Sequence, residues 1–339
     1  MALPAMLAEA TPVFAAPMAG GPSAAELVVN VSRAGHFAQL AAGYKTVEAM
    51  ADEIAQVRAR GAELFGVNLF VPSPVPISRA DYQAYSERLA SIAAQLGQRL
   101  PPPREDDDHW EEKVAAVVAD PVPVVSFTFG LPDVGVVRRL RAAGTFTLQT
   151  VTSAAEARAA QEAGVDGVTV QGFAAGGHSG IWNGSLRPLD VSLSELVREV
   201  RSVTALPLFA AGGVSRVEQV RDLLSTGADA VVVGTALLLA DEAGTSPVHR
   251  AVLSDARFDR TVLTRAFTGR YARALANDFT REFSNVAPSG YPALHHLTRG
   301  IRSAASAAGD SGLAHLWAGE GWRDTKPGPV AEVLGRLAP

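Results

Sequence analysis

Cysteine is absent from all 339 residues. That absence excludes a Cys nucleophile, an iron–sulfur cluster, a thiolate zinc site, a CxxC redox centre and a disulfide-built secreted scaffold together. Aromatic residues are scarce at 6% and are not interleaved with basic ones, and 30 Lys+Arg fall short of 35 Asp+Glu. With a formal net charge of -5 the chain has no global field for nucleic acid or an anionic membrane, which favours a small-molecule partner. Long apolar runs are missing as well: the longest, 230–240, is broken by Gly234 and Thr235 and is too short for a bilayer. No Lys or Arg precedes Arg33, and Glu9 interrupts the Ala-rich start, so the expectation is a cytoplasmic protein without a signal peptide. No GxSxG elbow, P-loop, HExxH or EF-hand loop occurs, nor a GxGxxG after the first strand, so no protein metal site is expected.

What is present is a rhythm. Short β-branched runs at 13–16, 36–41, 64–70, 124–129, 146–151, 167–171, 207–211 and 230–234 alternate with Ala/Leu/Glu/Arg stretches of helical period. Eight such strands, the first seven each followed by a helix, predict an α/β fold of the (β/α)8 TIM-barrel type, with an open doubly wound sheet as the alternative. Two regions break the rhythm: 72–112, which carries Pro101-Pro102-Pro103 and the acidic run Glu105 to Asp108, and 241–323, which reads as helices and loops. Both leave from the C-terminal face of the barrel, so 1–71, 113–240 and 324–339 are expected to form the barrel, and the two excursions a smaller, mainly helical cap over the site. The alternative is a surface excursion plus an unrelated C-terminal unit.

Glycines gather at the strand ends: Gly20-Gly21, Gly176-Gly177 with Gly180, Gly212-Gly213, and Gly234 before Thr235. Glycine there permits positive φ and lets backbone N–H groups approach an anion. Ala211-Gly212-Gly213-Val214-Ser215 leads into a helix with Ser215 as expected N-cap, and Thr235 adds a hydroxyl, the place where barrels of this type hold phosphate. His178 lies in the loop Gln171-Gly-Phe-Ala-Ala-Gly-Gly-His-Ser-Gly180 and is the candidate proton-transfer group, the alternative being a structural histidine. His36 is expected to begin a strand, His109 adjoins the acidic run, and His249, His295, His296 and His315 fall in the cap. Adjacent His295 and His296 would point about 100° apart on a helix, a poor metal pair. Arg265, Arg270, Arg273 and Arg281 read as a solvated or ion-paired helix face first, and as a ligand patch second.

The residues together resemble class I nitronate monooxygenases, formerly called 2-nitropropane dioxygenases. The resemblance runs nearly end to end through Ala16-Pro-Met-Ala-Gly-Gly21, Gly66-Val-Asn-Leu-Phe70, Val125-Ser-Phe-Thr-Phe-Gly130, the His178 loop, Ala210-Ala-Gly-Gly-Val214, Gly234-Thr-Ala-Leu237, Thr264-Arg-Ala-Phe-Thr-Gly-Arg270 and Leu316-Trp-Ala-Gly319. It implies FMN across the C-terminal strand ends. Met18, Asn68 and Gln171 would meet the isoalloxazine, and Gly176, Gly177, Gly212, Gly213, Val232, Val233, Gly234 and Thr235 would surround the ribityl phosphate. His178 would be the active-site histidine, a base toward a neutral nitroalkane or a partly protonated donor toward an anionic nitronate. The implied reaction takes an alkyl nitronate, such as propionate 3-nitronate, or a nitroalkane, with O2, to a carbonyl compound and nitrite, in a monomer or homodimer. The sequence departs from the family's usual Glu at Ala174, Arg at Ser179 and Gln at Val232. An NAD(P)H-using flavin reductase on the same fold is the second enzymatic reading, and a non-enzymatic flavin-binding protein the third.

Overall fold

The computed structural model describes residues 4–339; the first three residues of the expected barrel segment lie outside it. Eight parallel strands follow one another around a ring: Val13–Ala15 (β1), Gln39–Ala41 (β2), Gly66–Phe70 (β3), Val124–Thr128 (β4), Phe146–Val151 (β5), Gly167–Gln171 (β6), then, past a short strand Gly177–His178 (β7), Leu208–Ala211 (β8) and Ala230–Val233 (β9). Their spatial order is β1-β9-β8-β6-β5-β4-β3-β2, which is sequence order bent into a circle. The seam between β1 and β2 is bridged where the Ala15 amide donates to the Phe37 carbonyl at 2.8 Å. An open doubly wound sheet would reverse its strand order at a switch point, and this one does not.

Period-two alternation explains why the strands read as unbroken apolar runs. Outward residues such as Val67, Val125, Phe127, Val168, Val231 and Val233 pack under the helices, while Phe14, Phe37, Val124, Leu148 and Phe209 form a separate cluster inside the ring, plugged from below by Leu7. Phe14 stands edge-on to Phe37 and Phe209, each ring pair 5.3 Å apart. Further along the same inward rows come Asn68, Ser126, Thr128, Thr150 and Gln171. The interior is thus greasy at its N-terminal end and polar where the strands finish, so the sequence alternation itself marks the mouth as the reactive end.

Several local expectations change. His36 precedes β2 instead of starting it; its buried Nδ1 bonds the Val13 carbonyl at 2.8 Å and ties two adjacent βα units. Helix Trp110–Ala119 begins before 113, and Trp110 and Val114 pack into the barrel's outer core. The segment read as helices and loops contains two strands, Thr261–Thr264 (β10) and Ala272–Leu275 (β11), which join β7 in an antiparallel sheet. A second core unites Tyr82, Tyr85 and Leu89 of helix Arg79–Gln95 with Phe267, Phe279, Leu294, Leu297 and Ile301, and the Tyr85 hydroxyl donates to the Ala266 carbonyl at 2.6 Å. No helix among the described residues is long and apolar enough to cross a membrane.

Candidate active site

At the C-terminal strand ends lies a cavity of about 550 Å³. Met18, Asn68, Gln171, Gly176, Gly177, His178, Gly212, Gly213, Val232, Val233, Gly234 and Thr235 all line it, so the sequence-expected site residues come together in one place. Helix Ala293–Ala307 forms its roof through His295, Arg299, Arg302, Ser303 and Ser306. None of the lining residues is Asp or Glu, whereas Arg299 and Arg302 are cationic, as is Lys45, which is paired with Glu53 outside the lining. A cavity with cations and no carboxylate selects anionic guests.

The glycine cradle is built by backbone contact. Gly213 has φ +75°, and a Cβ there would lie 2.7 Å from that of Ala174. A Cβ at Gly176 would lie 2.5 Å from the Gly319 nitrogen, so two loops meet where only hydrogen fits. The Gly319 amide donates to Thr235 Oγ1 at 2.9 Å, which leaves the Thr235 hydroxyl proton for a guest. Ser215 is not the N-cap: helix Val217–Thr226 starts after Arg216, and Gln219 Oε1 accepts from the amides of Ser215 (2.9 Å) and Arg216 (3.1 Å). The longer amide side chain reaches back and satisfies the first turn itself, while Ser215 Oγ donates to Asp324 at 2.8 Å. The amides left free at this end of the strands are therefore those of the Gly212–Val214 turn, which make no hydrogen bond within the described residues.

His178 is placed by the small sheet. Register pairs Ala272 with His178 and Arg273 with Gly177, and the Ser179 amide donates to the Tyr271 carbonyl at 2.9 Å. The ring sits among Trp317 (5.3 Å), Phe129 (5.7 Å) and Tyr291 (6.0 Å), with Nε2 2.8 Å from Thr268 Oγ1. Burial, then the Arg270 and Arg302 guanidiniums, lower its pKa to about 3. The imidazole is thus neutral at physiological pH, against the expectation of a partly protonated donor; its lone pair is free, and negative charge on a guest would raise its affinity for a proton.

The arginines also depart from expectation. Arg270, in the bend before β11, and Arg273, within β11, are buried and not on a solvated helix face. Arg270 lies 4.2 Å over the Phe129 ring and donates to the carbonyls of Ile181 and Phe129, with Nη1 unpaired. Arg273 holds the Phe173 carbonyl and pairs with Glu320 at 3.1 Å. Arg281 is exposed against Asp278, and Arg265 donates to Ser289. His296 turns away to Asp106 at 2.8 Å while His295 faces the cavity and stacks on Tyr44 at 4.1 Å.

Comparison with known proteins agrees with this architecture. The family model described as nitronate monooxygenase matches residues 3–339. The chain belongs to the nitronate monooxygenase family. A protein of Staphylococcus aureus (strain Newman) named probable nitronate monooxygenase is 32% identical over 339 residues, covering 98% of this chain and 94% of that one. The solved structure of nitroalkane oxidase from Streptomyces ansochromogenes is 43% identical with a TM-score of 0.91, over 96% of this chain and 94% of that one. FabK from Thermotoga maritima, at 23% identity and a TM-score of 0.77 over 98% and 93% of the two chains, shares the fold. As a member of the nitronate monooxygenase family the chain is an oxidoreductase.

Sequence reasoning missed Thr268, Arg299, Arg302 and Trp317 as site residues. Thr268 and Trp317 stood inside the quoted family motifs without a role. The roof helix had a readable signal: His295, Arg299, Arg302, Ser303 and Ser306 fall at helical spacing on one face.

Proposed function

We propose that this member of the nitronate monooxygenase family binds FMN and oxidises alkyl nitronates and neutral nitroalkanes with O2 to carbonyl compounds and nitrite. The observation that carries the reading is a neutral histidine opening into a carboxylate-free, cation-roofed cavity beside a glycine cradle. The residues present fit the cofactor: the Gly212–Val214 amides, Gly176 and the Thr235 hydroxyl would hold the phosphate, and Met18, Asn68 and Gln171 the ring system. Asn68 Nδ2 donates to Ser126 Oγ at 2.8 Å and Gln171 Oε1 accepts from the Gly180 amide at 2.6 Å, so both amides are locked before any guest arrives. When bound, FMN supplies the one-electron and oxygen chemistry. The chain's own part is proton transfer and charge placement. A neutral nitroalkane loses its α-proton to His178, the C–H electrons move onto the nitro oxygens, and Arg302 and Arg299 offset the negative charge that develops there. A preformed nitronate enters already deprotonated and needs only the cations. We further infer that the excursion from 72 up to helix Trp110–Ala119 acts with 241–323 as one cap, a reading supported by the core that Tyr85 and Leu89 share with Phe267 and Leu297.

The test is to purify the protein, record a flavin spectrum and follow anaerobic flavin reduction by propionate 3-nitronate and, separately, by NADH and NADPH. Fast reduction by the nitronate supports the proposal. Reduction by a pyridine nucleotide alone, or a colourless protein that takes up no FMN, overturns it. His178→Asn should retain flavin yet slow turnover of neutral nitroalkanes by about 10²-fold or more; unchanged nitroalkane kinetics would remove the base role.

A further inference from the structure

We infer that Thr268 is a positioning residue: its hydroxyl fixes His178 in the Nε2–H tautomer and so makes Nδ1 the atom that receives the substrate proton. Two nitrogens are available on a neutral imidazole, and the hydrogen-bond inventory chooses between them. His178 Nε2 is 2.8 Å from Thr268 Oγ1. That hydroxyl is buried, takes the Arg270 amide at 3.4 Å and lies 3.3 Å from the Arg270 carbonyl. It has a single proton. If the proton went to Nε2, the Arg270 carbonyl would lose the one hydrogen bond it has among the described residues. If it goes to that carbonyl, the oxygen keeps a lone pair for Nε2–H, and amide, carbonyl, hydroxyl and imidazole are all satisfied. Nδ1, which makes no hydrogen bond within the described residues, then carries the free lone pair on a ring that lines the cavity.

The surroundings hold this arrangement still. Thr268 lies in the turn that joins β10 to β11, four residues before Ala272, whose register partner is His178, so the hydroxyl is carried by a connection of the same small sheet that holds the ring. The Phe267 carbonyl accepts from Thr298 on the roof helix, and the Thr268 amide donates to the Arg265 carbonyl at 3.2 Å. The turn that carries the hydroxyl is thereby anchored from both sides, which is what fixing a base within a fraction of an ångström requires.

This inference rests on the nitroalkane reading of the site, so its test has one arm that needs no turnover. In ¹⁵N-histidine NMR of the flavin-loaded protein, the signals lost in His178→Asn should show a protonated Nε2 and an unprotonated Nδ1. Thr268→Val should mix the tautomers, and Thr268→Ser should restore the wild-type pattern. Kinetically, Thr268→Val should lower kcat/KM for nitroethane by about 10- to 100-fold and leave preformed ethylnitronate within about threefold, since only the former needs the base. Thr268→Ser should recover most of the nitroethane rate. An Nδ1–H tautomer in the wild-type protein overturns the inference, as does a valine variant that slows both substrates equally or neither. A wild-type protein that shows the Nε2–H tautomer yet turns over no nitro compound supports the tautomer assignment and defeats the functional reading instead.

Discussion

His178 is kept neutral by where it stands, and the two guanidiniums that help are not equivalent. Arg270 is engaged with backbone carbonyls and the Phe129 ring, whereas Arg302 faces the cavity with Nε on Thr298 Oγ1 (3.0 Å), Nη2 on the His295 carbonyl (2.9 Å) and no carboxylate partner among the described residues. Burial lowers the Arg302 pKa to about 10, still charged at neutral pH. A buried cation without a counterion is costly unless a guest supplies the anion. Arg302→Met should therefore have two effects of known sign. The KM for a nitronate should rise by roughly tenfold, the loss of one charge-assisted contact. The His178 pKa should move up from about 3 toward 6.5, so the acid limb of the kcat/KM profile for a neutral nitroalkane should shift to higher pH. A variant with unchanged nitronate KM and an unmoved acid limb would show that Arg302 is only packing.

The loops after β8 and β9 carry the proposed phosphate cradle, and the turn after β8 can be tested alone. Gly213→Ala places a Cβ at a φ of +75° and 2.7 Å from Ala174, so the turn must twist and its amides lose their aim. FMN affinity, followed by quenching of flavin fluorescence, should fall at least about tenfold while the far-UV circular dichroism stays that of the wild type. Equal affinity would take the Gly212–Val214 amides out of the cradle. These loops were legible in the sequence because each sits where a β-branched run ends, and the barrel itself was legible because its strands obey a period of two with helices between. β10 and β11 were not: each is four residues long, and the Arg-rich stretch between and within them resembles a polar helix until the antiparallel pairing with Gly177–His178 is known. Ser215 misled for a related reason. A serine before a helix is an N-cap on local grounds, but Gln219 and Asp324, the latter 109 residues away in sequence, divide its roles between them. The roof's Arg299 and Arg302 were hidden because a helical stripe of cations faces solvent far more often than it faces a barrel mouth.

Four histidines, His178, His249, His295 and His315, come together in the lining of one cavity. Burial is the first cause in each case, with His178 lowered to about 3, His249 to about 4, and His295 and His315 well below the ordinary value. In the unfolded chain all four titrate near 6.5. Between that pH and the folded values the unfolded state binds protons that the folded state refuses, so unfolding becomes easier as pH falls. The contribution is fully present above pH 6.5 and is lost on the way down. Each histidine removes up to about 1.4 kcal/mol per pH unit, hence about 2 kcal/mol by pH 5, and four together approach about 8 kcal/mol as an upper bound, comparable with a typical total stability of about 5–15 kcal/mol. The salt-bridged carboxylates Asp255 and Asp324, whose pKa values are lowered chiefly by hydrogen bonds from Arg257 and Arg216, withdraw their support only at lower pH, below the ordinary carboxylate range. The two windows are therefore separable. At fixed ionic strength and fixed flavin content, Tm should fall by about 5–10 °C between pH 7 and pH 5, and His315→Asn should flatten that slope because it deletes one of the refused protons. A Tm that stays level from pH 7 to 5 would mean that these imidazoles protonate in place in the folded protein, and the burial that keeps His178 neutral would have to be abandoned.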